Sequence, residues 1–167
     1  MHTFQPYPIE ELEFNPFEKI GKDWGLVSAG SKQKANTMTV SWGGLGVLWG
    51  KNVVFIFIRD SRYTKEFIDA GDFFSVSFMD KNYRDALNYC GSHSGRNKDK
   101  VANAGLTWAY KHSIPYIDEG NFILLCQKLA AMKITDESFI SPEIKKWYAD
   151  GDMHTMYVGE ILEIMAR

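Results

Sequence analysis

The sequence predicts a mainly β chain, built as a β-barrel or strongly curved sheet with a few short helices. Three observations lead there. Strand-length runs of apolar or alternating residues recur along the chain. Candidate helices are few and short, and three of the four stop at a glycine. Strands do not alternate regularly with long helices, as a doubly wound parallel sheet requires. With 167 residues, 45% of them hydrophobic, the chain can bury a core without metal or disulfide staples. One domain over residues 1–167 is the expected organisation.

In chain order, residues 1–23 read as an extended arm carrying Pro6, Pro8 and Pro16, with a short amphipathic turn at Phe17–Ile20. Strands are expected at Trp24–Ala29 and at Thr37–Trp42, the second rich in β-branched residues. Val53–Ile58 is a continuous apolar run, short enough for a strand buried on both faces. Phe73–Met79 places Ser75 and Ser77 on one face and Phe74, Val76 and Phe78 on the other. Asn121–Ile134 and His154–Met165 complete the strands. Helices are expected at Thr64–Ala70, Tyr83–Cys90 and Lys98–Ala104, stopped by Gly71, Gly91 and Gly105. A fourth is expected at Pro142–Tyr148, with Ser141 before a proline at the first helical position.

Composition excludes several function classes. Lys and Arg number 19 against 21 Asp and Glu, a net charge of −2, so the broad basic field of a nucleic-acid binder is absent. The longest apolar runs fall far short of the ~20 residues that span a bilayer, and the N-terminus lacks the basic and apolar regions of a signal peptide. The expectation is a soluble, cytoplasmic protein that engages neither nucleic acid nor membrane. Cys90 and Cys126 form no CxxC, and His2, His93, His112 and His154 show no ligand spacing. No metal site is expected, and the cysteines read as free thiols.

Familiar nucleotide motifs fail. Gly44-Leu45-Gly46-Val47-Leu48-Trp49-Gly50 misses the dinucleotide fingerprint by one residue, and no helix follows it. These glycines read as strand curvature or close backbone approach. There is no Walker A sequence and no GxSxG, so nucleophilic hydrolysis has no candidate.

Four other clusters carry chemistry. Arg59-Asp60-Ser61-Arg62-Tyr63-Thr64 ends the buried strand and opens a helix, where unpaired N–H groups, two arginines and two hydroxyls suit a phosphate. A second basic turn, from Cys90 to Lys100, contains Ser94, Gly95, Arg96 and Lys100. Convergence of the two turns would define an anionic site on a net-acidic chain. Thr37, Met38, Thr39 and Trp42 lie on a strand margin suited to a flat heteroaromatic ligand with donors and acceptors on its rim. His154-Thr155-Met156-Tyr157 starts the last strand, with His154 and Met156 on one face. Each cluster also has a plain structural reading: a helix cap, a polar connection, a barrel strand, a packed histidine.

Taken in order, NTMTVSW, a glycine-rich stretch with WGK, RDSRYT, CGSHSGRNKDK with AGLT, and HTMYVGEI closely resemble the flavin reductase-like family, which includes the flavoredoxins. The resemblance runs from about Trp24 to the end. It implies an FMN-binding split β-barrel that forms a homodimer with the flavin near the interface. By position it implies ring contacts from Thr37, Met38, Thr39 and Trp42. Phosphate and ribityl contacts are implied from Arg59, Ser61, Arg62, Tyr63 and Thr64, and a second basic contact from Ser94, Gly95, Arg96 and Lys100. His154 and Tyr157 are implied close to the ring. Asn97 replaces an Asp common in the family, removing a negative charge, and Lys98 adds a positive one.

The activity implied is hydride transfer from NADH or NADPH to flavin N5, with the flavin doing the chemistry and no side chain nominated as catalytic. The alternative is a flavoredoxin-type FMN electron carrier without direct NAD(P)H activity, serving an electron-acceptor protein. Neither the choice of nicotinamide cofactor nor a redox role for Cys90 is legible in the residues.

Overall fold

The computed structural model describes all residues, Met1–Arg167. Its centre is an eight-stranded, wholly antiparallel sheet. The strands are β1 (Gln5–Tyr7), β2 (Gly25–Gly30), β3 (Ala35–Val40), β4 (Gly43–Leu48), β5 (Lys51–Arg59), β6 (Phe73–Phe78), β9 (Phe122–Lys133) and β10 (His154–Ala166). A separate hairpin joins β7 (Trp108–Lys111) to β8 (Ile114–Ile117). The main sheet runs β3-β2-β6-β9-β10-β5-β4, and β1 pairs with the far end of β10. This is the mainly β architecture that the alternating runs predict.

The sheet curls so that β3 lies beside β5, and both contribute to one apolar core. Val27, Met38, Val40, Val54, Ile56, Phe74, Leu124 and Tyr157 belong to that core. A second cluster lies under the helices and a third under the β7–β8 hairpin. Helix α1 (Pro16–Glu18) is a single turn, and α2 (Tyr63–Ala70) follows β5 directly. Helix α3 (Arg84–Ser92) runs two residues past its expected end at Cys90, with Gly91 inside it. A side chain at Gly91 would press on Thr39, whose Cβ lies 3.3 Å from an added Cβ. Helix α4 shortens to Lys100–Asn103, capped by the Asp99 side chain, which accepts from the Ala102 N–H at 3.1 Å. Pro142–Tyr148 winds as a 3-10 helix rather than an α-helix.

Four strands escape the sequence reading, β1, β4, β7 and β8. The arm supplies β1. The Gly44–Gly50 run becomes edge strand β4 and a tight turn to β5 at Trp49 and Gly50, both at positive φ. The β7–β8 turn uses His112 and Ser113, also at positive φ. Neither residue is a usual signal for that turn, which favours Asn or Gly.

Candidate functional site

Two neighbouring cavities lie where the end of β3, the end of β5, the start of β10 and helices α2 and α3 meet. The larger, about 300 Å³, is floored by Met38, Thr39, Val40, Ser41 and Trp42. Phe57, Arg59, Arg62, Gly91, Trp147 and His154 wall it. Two-residue periodicity brings Phe57 and Arg59 to one face of β5, and antiparallel pairing sets His154 opposite Arg59. Strand β3 ends the sheet, so its outer edge carries N–H and C=O groups with no strand partner. A flat ring seated here would meet apolar faces and an unpaired backbone margin together.

The smaller cavity, about 160 Å³, is lined by Ser61, Arg62, Tyr63, Thr64, Ser92, His93, Ser94 and Lys100. It shares Arg62 with the larger one. Here the first basic turn meets the second, through Arg62, Ser94 and Lys100. Helix α2 opens at Arg62 with no side-chain cap, leaving first-turn N–H groups for an anion.

The electrostatics of this cavity are unusual. Arg62 is half-buried and donates to the Gly91 carbonyl at 2.7 Å. Lys100 is 4% exposed and donates to the carbonyls of Cys90 (3.0 Å) and His93 (3.2 Å). Neither cation has a carboxylate within salt-bridge distance. Burial pushes the Arg62 guanidinium below its ordinary value, and burial brings Lys100 down to about 8. Buried charge without a partner is costly. Two such cations on one small cavity, beside an uncapped helix, form a cradle that a dianion would complete.

Other expected site residues are placed differently. Thr37 is fully buried and its hydroxyl donates to the Val27 carbonyl at 2.9 Å, so its side chain does not face the ring cavity. Tyr157 is equally buried, because period two turns it to the core face opposite His154, where its hydroxyl donates to Asp69 at 2.5 Å. Arg59 lines the ring cavity but not the phosphate-sized one. Its guanidinium holds the carbonyls of Asp152 (2.7 Å) and Trp147 (2.9 Å). Ser61 gives its N–H (3.0 Å) and its hydroxyl (2.5 Å) to the Asp152 carboxylate. Arg96 is absent from both cavities: it pairs with Glu66 and stacks over Tyr63 at 4.4 Å. Gly95 packs against β3, where an added Cβ would fall 2.0 Å from Asn36 Oδ1. Asn36 in turn donates to Thr64 at 2.8 Å, which ties the second basic turn to helix α2.

The sequence reading missed the wall formed by residues 147–152. Trp147 stands edge-on to Trp42 at 5.3 Å. Tyr148 shares a 3.0 Å hydrogen bond with His154 Nδ1. Two adjacent aromatics in an otherwise polar segment were the available signal. His154 is buried, and burial, then Arg59, lowers its pKa, so it is neutral at pH 7. Cys90 is a buried free thiol whose pKa burial raises, which makes it a poor nucleophile.

Residues 18–167 match the family model described as the flavin reductase like domain. The chain belongs to that family. Among curated proteins, no sequence matches it. Solved structures show the same fold. A flavoredoxin from Methanosarcina acetivorans superposes with a TM-score of 0.68 at 24% identity, over 87% of this chain and 68% of that one. An FMN-binding domain of a flavin reductases-like enzyme from Shewanella baltica gives 0.71 at 16% identity, over 98% and 77%. An NADH:FAD oxidoreductase from Streptomyces globisporus gives 0.66 at 17% identity, over 87% and 75%. The mainly β fold with short helices is thus that of flavin reductase-like proteins. No helix is long and apolar enough to cross a membrane.

Proposed function

We propose that this chain binds FMN and acts as an NAD(P)H-dependent flavin oxidoreductase. One observation carries the FMN assignment: the half-buried Arg62 and the buried Lys100, neither in a salt bridge, share a phosphate-sized cavity that adjoins a ring-sized one. The donor set fits the cofactor. The guanidinium, the ammonium, the Ser94 and Thr64 hydroxyls and the first turn of α2 would hold a phosphate. Met38, the β3 edge, Trp42 and Phe57 would hold the ring.

FMN, when bound, supplies hydride acceptance at N5 and onward electron transfer. The chain's own residues bind, orient and exclude water. Arg59 pins the 147–152 segment against β10, which sets Trp147 at the cavity wall. His154, neutral and hydrogen-bonded to Tyr148, supports Trp42 at 5.1 Å. Arg59 and Arg62 give that wall a positive field, which favours negative charge on a ring beside it. No side chain is assigned a proton-transfer step.

A second reading, an FMN electron carrier, is favoured by the likeness to a flavoredoxin. Anaerobic mixing with FMN and either NADH or NADPH separates them. Loss of the flavin's visible absorption supports the oxidoreductase. Unchanged absorption, with FMN bound, supports the carrier. Pairing with a second copy of the chain is part of the proposal. It is supported by Phe17, Val47 and Trp49, exposed apolar side chains near edge strand β4.

A further inference from the structure

One donor group on the phosphate-sized cavity is already committed to an anion. Arg62 and Lys100 donate to neutral carbonyls. Thr64 accepts from Asn36, and Ser92, His93 and Ser94 bond neighbouring main chain or one another. Ser61 differs. Its N–H, at 3.0 Å, and its hydroxyl, at 2.5 Å, both donate to the Asp152 carboxylate. Bonds to a charged acceptor are roughly twice as strong as neutral ones. Ser61 lines the cavity and Asp152 does not, so the carboxylate reaches Ser61 from outside. Its charge is nonetheless felt at Arg62: burial lowers the guanidinium's pKa, and Asp152 acts against that. Asp152 itself is in no salt bridge.

The main chain around Asp152 is held independently of its carboxylate. Arg59 holds the Asp152 carbonyl at 2.7 Å, and the Asp60 N–H holds the next carbonyl, that of Met153, at 2.9 Å. Asp152 is only half-buried. Rotation of one short side chain therefore frees both Ser61 donors without moving residues 147–152 or the Trp147 wall. The geometry points to Asp152 as a built-in competitor for the flavin phosphate: its carboxylate stands on Ser61 where phosphate oxygens would, and an entering phosphate monoester turns it out. Two anions cannot share the same pair of donors, and like charges this close repel. Asp152 thus holds FMN affinity below what Arg62, Lys100 and Ser61 would give together, which favours exchange of the flavin with solution. Riboflavin, without a phosphate, does not meet this competition. The inference rests on the FMN reading above for the identity of the anion.

The test titrates FMN and riboflavin into the wild-type chain, Asp152→Asn and Asp60→Asn, with flavin fluorescence as the readout. Asparagine leaves Ser61 a neutral acceptor, so the turn keeps a partner. The quantity compared is the ratio of FMN to riboflavin affinity, in which any loss of folded protein cancels. Asp60→Asn controls for lost negative charge in general, because Asp60 adjoins Ser61 in sequence but its carboxylate faces Lys133 at 2.9 Å. The ratio should rise about three- to tenfold in Asp152→Asn, since a bond to a charged acceptor exceeds a neutral one by about fivefold in equilibrium terms. In Asp60→Asn it should change by less than about twofold. An unchanged or lower ratio in Asp152→Asn overturns the proposal and leaves the FMN reading standing. An equal rise in both variants also overturns it, since a general field and not Ser61 would then be at work. A wild-type chain that binds no flavin, or binds FMN and riboflavin equally, overturns the FMN reading itself.

Discussion

Replacing Lys100 by methionine separates a ligand-binding lysine from a structural one. Burial lowers this ammonium from 10.5 to about 8, so its charge costs the folded chain about 3 kcal/mol, at about 1.4 kcal/mol per pKa unit. Methionine removes that cost while filling a similar volume. It also removes the hydrogen bonds to the Cys90 and His93 carbonyls, a loss of about 1.5–3 kcal/mol each. The opposing effects partly cancel, and stability without flavin should fall by no more than about 3 kcal/mol. FMN binding should not. A lost charge-assisted contact of about 1.5–3 kcal/mol weakens FMN about 10- to 150-fold, whereas riboflavin, lacking the phosphate, should change by less than about threefold. Urea unfolding and flavin fluorescence titration read the two quantities. Equal losses for both flavins, or severe destabilisation with an unchanged FMN-to-riboflavin ratio, would refute the reasoning.

Further outcomes follow from the same geometry. Arg62→Ala should cost FMN about 10- to 150-fold in titration and riboflavin far less. FMN affinity should fall by up to about tenfold between about pH 7 and pH 9 as Lys100 loses its proton, and Lys100→Met should flatten that profile. The sign for stability is opposite: the unfolded chain holds the Lys100 proton up to about 10.5 and the folded one only to about 8, so flavin-free stability from this group rises with pH across that window. Gly95→Ala would place a methyl group 2.0 Å from Asn36 Oδ1, and should cost about 1–3 kcal/mol in urea unfolding.

The legible parts of the fold were those with a clean period or a long run. Val53–Ile58 became the inner part of β5, and Phe73–Met79 holds the whole of β6, because most of their apolar residues are buried. The β7–β8 hairpin was hidden by a His112-Ser113 turn that relies on packing rather than propensity. Strand β4 was hidden because glycines carry little strand signal. In the site, local turn chemistry singled out Arg62, Ser94 and Lys100, which line one cavity. It could not mark Arg59 and Ser61 as partners of the 147–152 segment, since Asp152 lies about ninety residues away in sequence. Nor could a motif tell Tyr157 from His154 by role, although alternation alone put them on opposite faces of β10.

The most direct measurement is the affinity of the wild-type chain for FMN against riboflavin in one buffer at pH 7. If Arg62 and Lys100 hold a phosphate, FMN should bind about a hundredfold tighter or more, from two charge-assisted contacts. Indistinguishable dissociation constants for the two flavins would contradict it.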